Sequence, residues 1–155
     1  MKVLKRAAVA AAIVFAVIQL IPVDRTNPPV TREVRWNAPE TRALAQRACF
    51  DCHSNETVWP WTSRIAPASW LLARHVDEGR GELNFSEWDR PNAEADEIPE
   101  SVTDGSMPTW DYMLMHAEAR LTDAEQDALA AGLAETVRQD PPISDEGGGE
   151  DGDDD

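Results

Sequence analysis

Lysine is nearly missing from this chain. Its two lysines, Lys2 and Lys5, stand before the first apolar run, and none follows in the rest of the 155 residues. Over the whole sequence 14 Lys+Arg face 29 Asp+Glu, a net charge of −15; setting aside Lys2, Lys5 and Arg6 leaves −18 on the remainder. Phosphate backbones and anionic headgroups are held by clustered cations, so the charge argues against nucleic-acid binding and against docking to a membrane through a basic patch. Cysteine is scarce as well. Two residues, three apart, rule out a disulfide-dense scaffold. Sustained period-2 runs of β-branched and aromatic residues are also missing, so strands are not expected. The length allows one ordinary domain with appendages.

The ends are distinctive. Three cations in Met1–Arg6 precede an apolar run, Ala7–Ile21, broken only by Gln19. That is the layout of an export signal. No small-x-small triplet comes after the run in Ala16–Asp24, so residues 1–23 are expected to remain as a signal anchor. As a helix, Val3–Val23 would reach roughly 32 Å, close to the ~30 Å hydrocarbon core, which predicts a single transmembrane helix. Positive charge at its start places the rest on the outer side of the cytoplasmic membrane. Residues 24–36, opening with the proline-containing stretch DRTNPPVT, read as an extended spacer. Residues 140–155 hold eight acidic residues and four glycines, too little apolar mass to offset ordering entropy, and read as a disordered acidic tail.

Residues 37–139 form the expected domain, and its periodicity is helical. Asn37 is placed to cap a helix containing Pro39 and Glu40 and running to Ala48. A second helix is expected over Ala66–Glu78, with Gly79 ending it, and a short one near Glu94–Val102. Thr122-x-x-Glu125 is a capping box, followed by Leu129, Leu133 and Val137 at every fourth position. The fold class is therefore all-α. Six tryptophans with few branched aliphatic residues make a thin core, which a flat apolar macrocycle would complete.

Cys49-Phe50-Asp51-Cys52-His53 is C-x-x-C-H, the attachment motif of haem c. Two thiols one helical turn apart can reach the two vinyl groups on one porphyrin edge, and the adjacent imidazole becomes an axial ligand. Three other uses of the cysteines compete. A thioredoxin-like pair wants a βαβ context and has no need of the histidine. A zinc site needs another ligand at finger spacing, and His75 is 22 residues away. A Cys49–Cys52 disulfide explains neither His53 nor the residues after it. One covalent haem per chain is expected, bound at Cys49, Cys52 and His53. For the sixth ligand Met107, in Gly105-Ser106-Met107-Pro108, comes first, and His116 and His75 are the alternatives. Trp59, Trp61, Trp70 and Tyr112 are expected to line the cofactor.

These residues resemble a known family, the small exported haem-binding domain proteins that look like a branch of cytochrome c. The resemblance rests on Cys49 to Thr57 (CFDCHSNET), Trp59-Pro60-Trp61, Ile65 to Trp70 (IAPASW), His75-Val76 with Gly79-Arg80, Leu83 to Ser86 (LNFS), Met107-Pro108 with Tyr112 and His116, and Leu121-Thr122. It covers roughly Leu44–Val137. It implies covalent haem c, a cytochrome-like helical fold and one-electron transfer rather than catalysis, with a redox partner that the sequence does not name. Arg74, His75 or Arg80 is a candidate for a haem propionate. The other function class is a haem-based gas sensor or peroxidase-like protein, which requires an open distal position.

Overall fold

A computed structural model of the chain describes residues 1–92 and 94–143. Seven α-helices appear among them: α1 (Lys2–Ile18), α2 (Pro39–Ala48), α3 (Phe50–His53), α4 (Ala68–Glu82), α5 (Ile98–Thr103), α6 (Trp110–Met115) and α7 (Asp123–Gln139). Three single 3-10 turns intervene, at Trp61–Arg64, Ala95–Glu97 and Ala117–Ala119. Among the described residues β-structure is limited to the isolated bridges Arg32–Glu87 and Pro91–Ile143. The all-α reading stands.

The core is aromatic. Trp88, Phe85, Leu129 and Leu133 are fully buried, with Val34, Ala45, Phe50, Ile98 and Val102 around them. Trp36 lies 5.0 Å from Phe85 and 6.0 Å from Phe50, and Phe85 stacks on Trp88 at 6.2 Å, spacings at which ring pairs attract beyond simple burial. α7 supplies its apolar stripe through Leu129, Ala130 and Leu133, and starts where the capping box places it, with Thr122 Oγ1 accepting from Glu125 N–H. α2 crosses α7 closely at Gly132, where a β-carbon would sit 2.3 Å from Thr41 Oγ1.

Several expectations are corrected. α1 stops at Ile18 after 17 residues, about 26 Å at 1.5 Å per residue. No helix among the described residues is long and apolar enough to cross a membrane, so the transmembrane span is not supported. The helix ends because Leu20 and Ile21 tighten into i→i−3 bonds, Pro22 disfavours a helical Ile21, and the Gln19 amide exchanges two hydrogen bonds with the backbone of Ala66. Residues 24–36 are not a free spacer. Val34 N–H donates to Phe85 O, Trp88 N–H donates to Arg32 O, and Arg25 reaches Ser63 O, so this segment is stitched across the domain.

Asn37 does not cap α2. Ala38 takes that place, with Pro39 beginning the helix, while Asn37 trades hydrogen bonds with Thr136 Oγ1 of α7. α4 runs through Gly79 to Glu82 instead of ending there, because that glycine serves a close contact with Cys52 of α3. At the far end Asp140 is buried. Its carboxylate accepts from Arg32, from Arg35 N–H at 2.9 Å and from Arg35 Nη2 at 3.4 Å, and its carbonyl accepts from Trp88 Nε1 at 2.8 Å. Asp140 to Ile143 thus belong to the domain; the rest of the expected tail, 144–155, lies outside the described residues.

Burial alone would raise the Asp140 carboxyl, but the Arg35 amide and the Arg32 and Arg35 charges outweigh it and hold the group below the ordinary Asp value. Asp140→Asn should therefore cost about 2 kcal/mol of unfolding free energy at neutral pH, given the partly exposed Arg32 partner. A depressed folded-state value means that the contribution is complete above the unfolded value near 3.9 and fades as pH falls through the folded one. The stabilities of parent and variant from urea melts should draw together progressively as pH falls below about 4. Equal stability at neutral pH would refute the role given to Asp140.

Candidate functional site

The C-x-x-C-H motif straddles a helix junction. Cys49 ends α2 and opens α3, and α3 carries Cys52 and His53. His53 is placed by α4. Its Nδ1 lies 3.0 Å from Gly79 O and 3.2 Å from Leu83 O. Both partners are carbonyl oxygens, so Nδ1 carries the proton and Nε2 is left with its lone pair free, the tautomer a metal-binding histidine needs. Burial lowers the His53 pKa against the opposing pull of the two carbonyls and of Glu82 and Glu94, which keeps the ring neutral.

The contact that permits this is Gly79. A β-carbon there would stand 2.8 Å from Cys52 O and 3.0 Å from Cys52 Cβ, so any side chain would push α4 off α3. Phe85 N–H donates to His53 O at 2.9 Å, tying the same residue to the loop after α4. Ser54 Oγ closes the end of α3 by donating to Phe50 O at 2.8 Å.

Two clefts meet at this motif. One, a cavity of about 50 Å³ partly open to solvent, has Leu83, Phe85, Ile98 and Val102 as its apolar wall. The other, about 60 Å³, is walled by Ala48, Pro108 and Tyr112. Cys49, His53 and Met107 line both, and Cys52 lines the second. Taken singly, each is smaller than a typical small-molecule site of roughly 300–1,000 Å³. A larger hollow, about 400 Å³, lies between residues 23–26 and α4; it is open, carries Asp24, Asp77 and Arg74, and holds neither thiol.

Both cysteines are free. Burial pushes the Cys49 thiol up to about 12 and the Cys52 thiol up to about 11. Reactive thiols of disulfide exchange have depressed values, the opposite direction to this pair.

Met107 arrives at the clefts from α5, its N–H donating to Ser101 O at 3.0 Å. The histidines named as its alternatives stand elsewhere. His116 stacks on Tyr112 at 4.0 Å with its Nδ1 3.1 Å from Tyr112 O, and His75 sits on α4; neither lines either cleft. Of the aromatic residues expected around the cofactor, Tyr112 lines the second cleft. The tryptophans do not. Trp59 and Trp70 face the hollow beside residues 23–26, where Trp59 Nε1 donates to Asn27, and Trp61 is 73% exposed. Trp59 and Trp70 pack the incoming segment instead. Arg80, weighed as a propionate partner, spends its guanidinium on Ser54 O, Thr26 O, Asn27 and Thr57, and Arg74 pairs with Glu78.

Compared with known families, residues 13–135 match the haem-binding domain. The chain belongs to the haem-binding domain family. Searches of the curated proteins and of the solved structures found no match. The residues present fit the haem that the family takes: a neutral imidazole with its distal nitrogen free, two half-buried cysteines beside it, and apolar walls on two sides. Sequence reasoning missed three contributors to this haem-binding domain. Gly79 and Leu83 act through carbonyl oxygens and leave no side-chain signal, and Asp51, at a variable position of the motif, is engaged with Tyr112.

Gly79→Ala should lower stability by about 1–3 kcal/mol and reduce haem content, because it forces α4 away from Cys52 and moves the carbonyl that orients His53. Gly81→Ala, two residues on with open space around it, should instead raise stability by about 0.5–1 kcal/mol. Thermal melts of both variants with haem quantified per chain make the comparison. Two alanines with the same effect would contradict the close-contact account.

Proposed function

We propose that this haem-binding domain is a monohaem c-type cytochrome that passes single electrons outside the cytoplasmic membrane. One arrangement carries the reading: two clefts share Cys49, His53 and Met107, and the His53 ring is fixed by the Gly79 and Leu83 carbonyls with Nε2 free. Cys49 and Cys52 would hold the haem through thioether bonds, and His53 and Met107 would bind its iron. When bound, the haem supplies reversible one-electron exchange at its iron.

The chain's residues set the conditions for that exchange. Leu83, Phe85, Ile98 and Val102 give one side an apolar wall, and low polarity favours the less charged, reduced state. A thioether paired with imidazole favours Fe(II) over a second imidazole and leaves no position for substrate, which suits an electron carrier rather than an enzyme. The cationic start and apolar body of α1 support export, and disulfide-permissive compartments are where this motif is loaded. The lysine-free surface supports a partner that does not rely on a ring of basic residues here.

Absorption spectra of the reduced and oxidised full chain, expressed with a haem c maturation system, test this. The expected result is a low-spin spectrum that His53→Ala abolishes and that Met107→Ala converts to high spin or to a lower potential, with haem retained. Rapid carbon monoxide capture by the reduced parent would point to the open-site sensor or peroxidase class instead. An unchanged spectrum and potential in Met107→Ala would remove Met107 from the iron.

A further inference from the structure

α6 is hard to explain by packing. It is six residues long and has no buried residue, and Trp110, Leu114 and Met115 on it are largely exposed. Hydrophobic burial therefore does little to set where it lies, yet it begins three residues after Met107. Its direct bond to the cytochrome motif is polar. Tyr112 donates its hydroxyl to Asp51 Oδ2 at 2.8 Å, and Asp51 is one of the two residues between the haem-binding cysteines, next to Cys52.

Asp51 is itself immobilised. Its other carboxylate oxygen accepts from Val58 N–H at 2.8 Å, and its carbonyl accepts from Thr57 Oγ1 at 2.8 Å. The Tyr112 ring is held from behind by His116, stacked at 4.0 Å, whose Nε2 lies 3.8 Å from Asp51 Oδ2. Upstream, the Met107 loop is fixed to α5, where Met107 N–H and Ser106 Oγ both donate to Ser101 O. Downstream, the bond to Asp51 is its counterpart.

We infer that Asp51 and Tyr112 form a latch that joins the haem-attachment helix to α6 and so keeps Met107 at the iron. The two are positioning residues, acting through Met107. This rests on the reading of Met107 as the sixth ligand. The latch places both ends of the ligation under one small segment: α3 presents the thiols and His53, and the same α3 fixes the return path of the methionine loop. A hydrogen bond to a charged acceptor, lost without a change of shape, should raise the population with Met107 away from iron by about tenfold or more.

The test uses the full holo chain with three readouts: haem mass per chain, strength of the red thioether-to-iron charge-transfer band, and the rate of carbon monoxide capture after reduction. Tyr112→Phe should retain covalent haem, weaken the band, and speed capture by about tenfold. Asp51→Asn, which keeps the shape but not the charge, should fall between parent and Tyr112→Phe. Leu114→Ala, exposed on the same helix, should match the parent. In a Met107→Ala background, adding Tyr112→Phe should change neither the band nor the capture rate. If Met107→Ala alone leaves both untouched, the ligand assignment fails and the latch with it. If Met107→Ala alters them while Tyr112→Phe and Asp51→Asn behave as the parent, the latch alone is overturned.

Discussion

The approach of α4 to α3 at Gly79 is the contact on which the rest of the site depends. It brings a backbone carbonyl within 3.0 Å of His53 Nδ1, and a second, Leu83 O, comes one turn later at 3.2 Å. A side chain at position 79 would collide with the backbone of Cys52, so the hydrogen bonds and the helix separation are one constraint. It sets the tautomer of His53, the direction of its free nitrogen, and the placing of Leu83 and Phe85 along the cleft wall. Phe85 then links the site to the core, since it stacks with Trp88 and Phe50.

The second constraint is at the termini. Segments before α2 and after α7 are fastened to the same part of the domain. Arg32 and Arg35 meet Asp140, and Trp88 lies beneath them with its indole N–H on the Asp140 carbonyl. Val34 and Trp36 enter the aromatic core from that segment. An extended stretch with prolines can therefore be structural: lacking regular secondary structure, it still satisfies its donors against Phe85, Ser86 and Ser63.

Much of this is legible in the sequence where one residue type carries one local meaning. Thr122-x-x-Glu125 predicts the start of α7, and the four-residue recurrence of Leu129 and Leu133 predicts its buried face. The cysteine motif points to the pair of clefts because Cys49, Cys52 and His53 follow one another within five residues and all line them. The features that escape are set by partners distant in the chain. Gly79 reads as a helix terminator because a glycine's local meaning is a stop, whereas here it is demanded by Cys52, 27 positions earlier. Asn37 is drawn off its capping role by Thr136, across the domain. The tryptophans stand near His53 in sequence, which suggests the cofactor, but Trp59 and Trp70 cover the incoming segment near residues 23–26. The apolar run at the N-terminus is continuous in sequence to Ile21, yet Gln19 has a better partner in Ala66 than in another helical turn.

The charge distribution and the site together describe a haem-binding domain with an acidic, lysine-free exterior and an apolar, aromatic interior. Its central claim is that two sulfurs and one imidazole of a single short helix junction hold the cofactor. Cleavage of the full chain, expressed with a haem c maturation system, after Arg47 and Arg64 releases the peptide 48–64, which contains Cys49, Cys52 and His53. Mass spectrometry of that peptide should find it heavier by one haem under denaturing conditions. A peptide of unmodified mass, or one lighter by two hydrogens from a Cys49–Cys52 disulfide, recovered from protein that still binds haem would contradict the account.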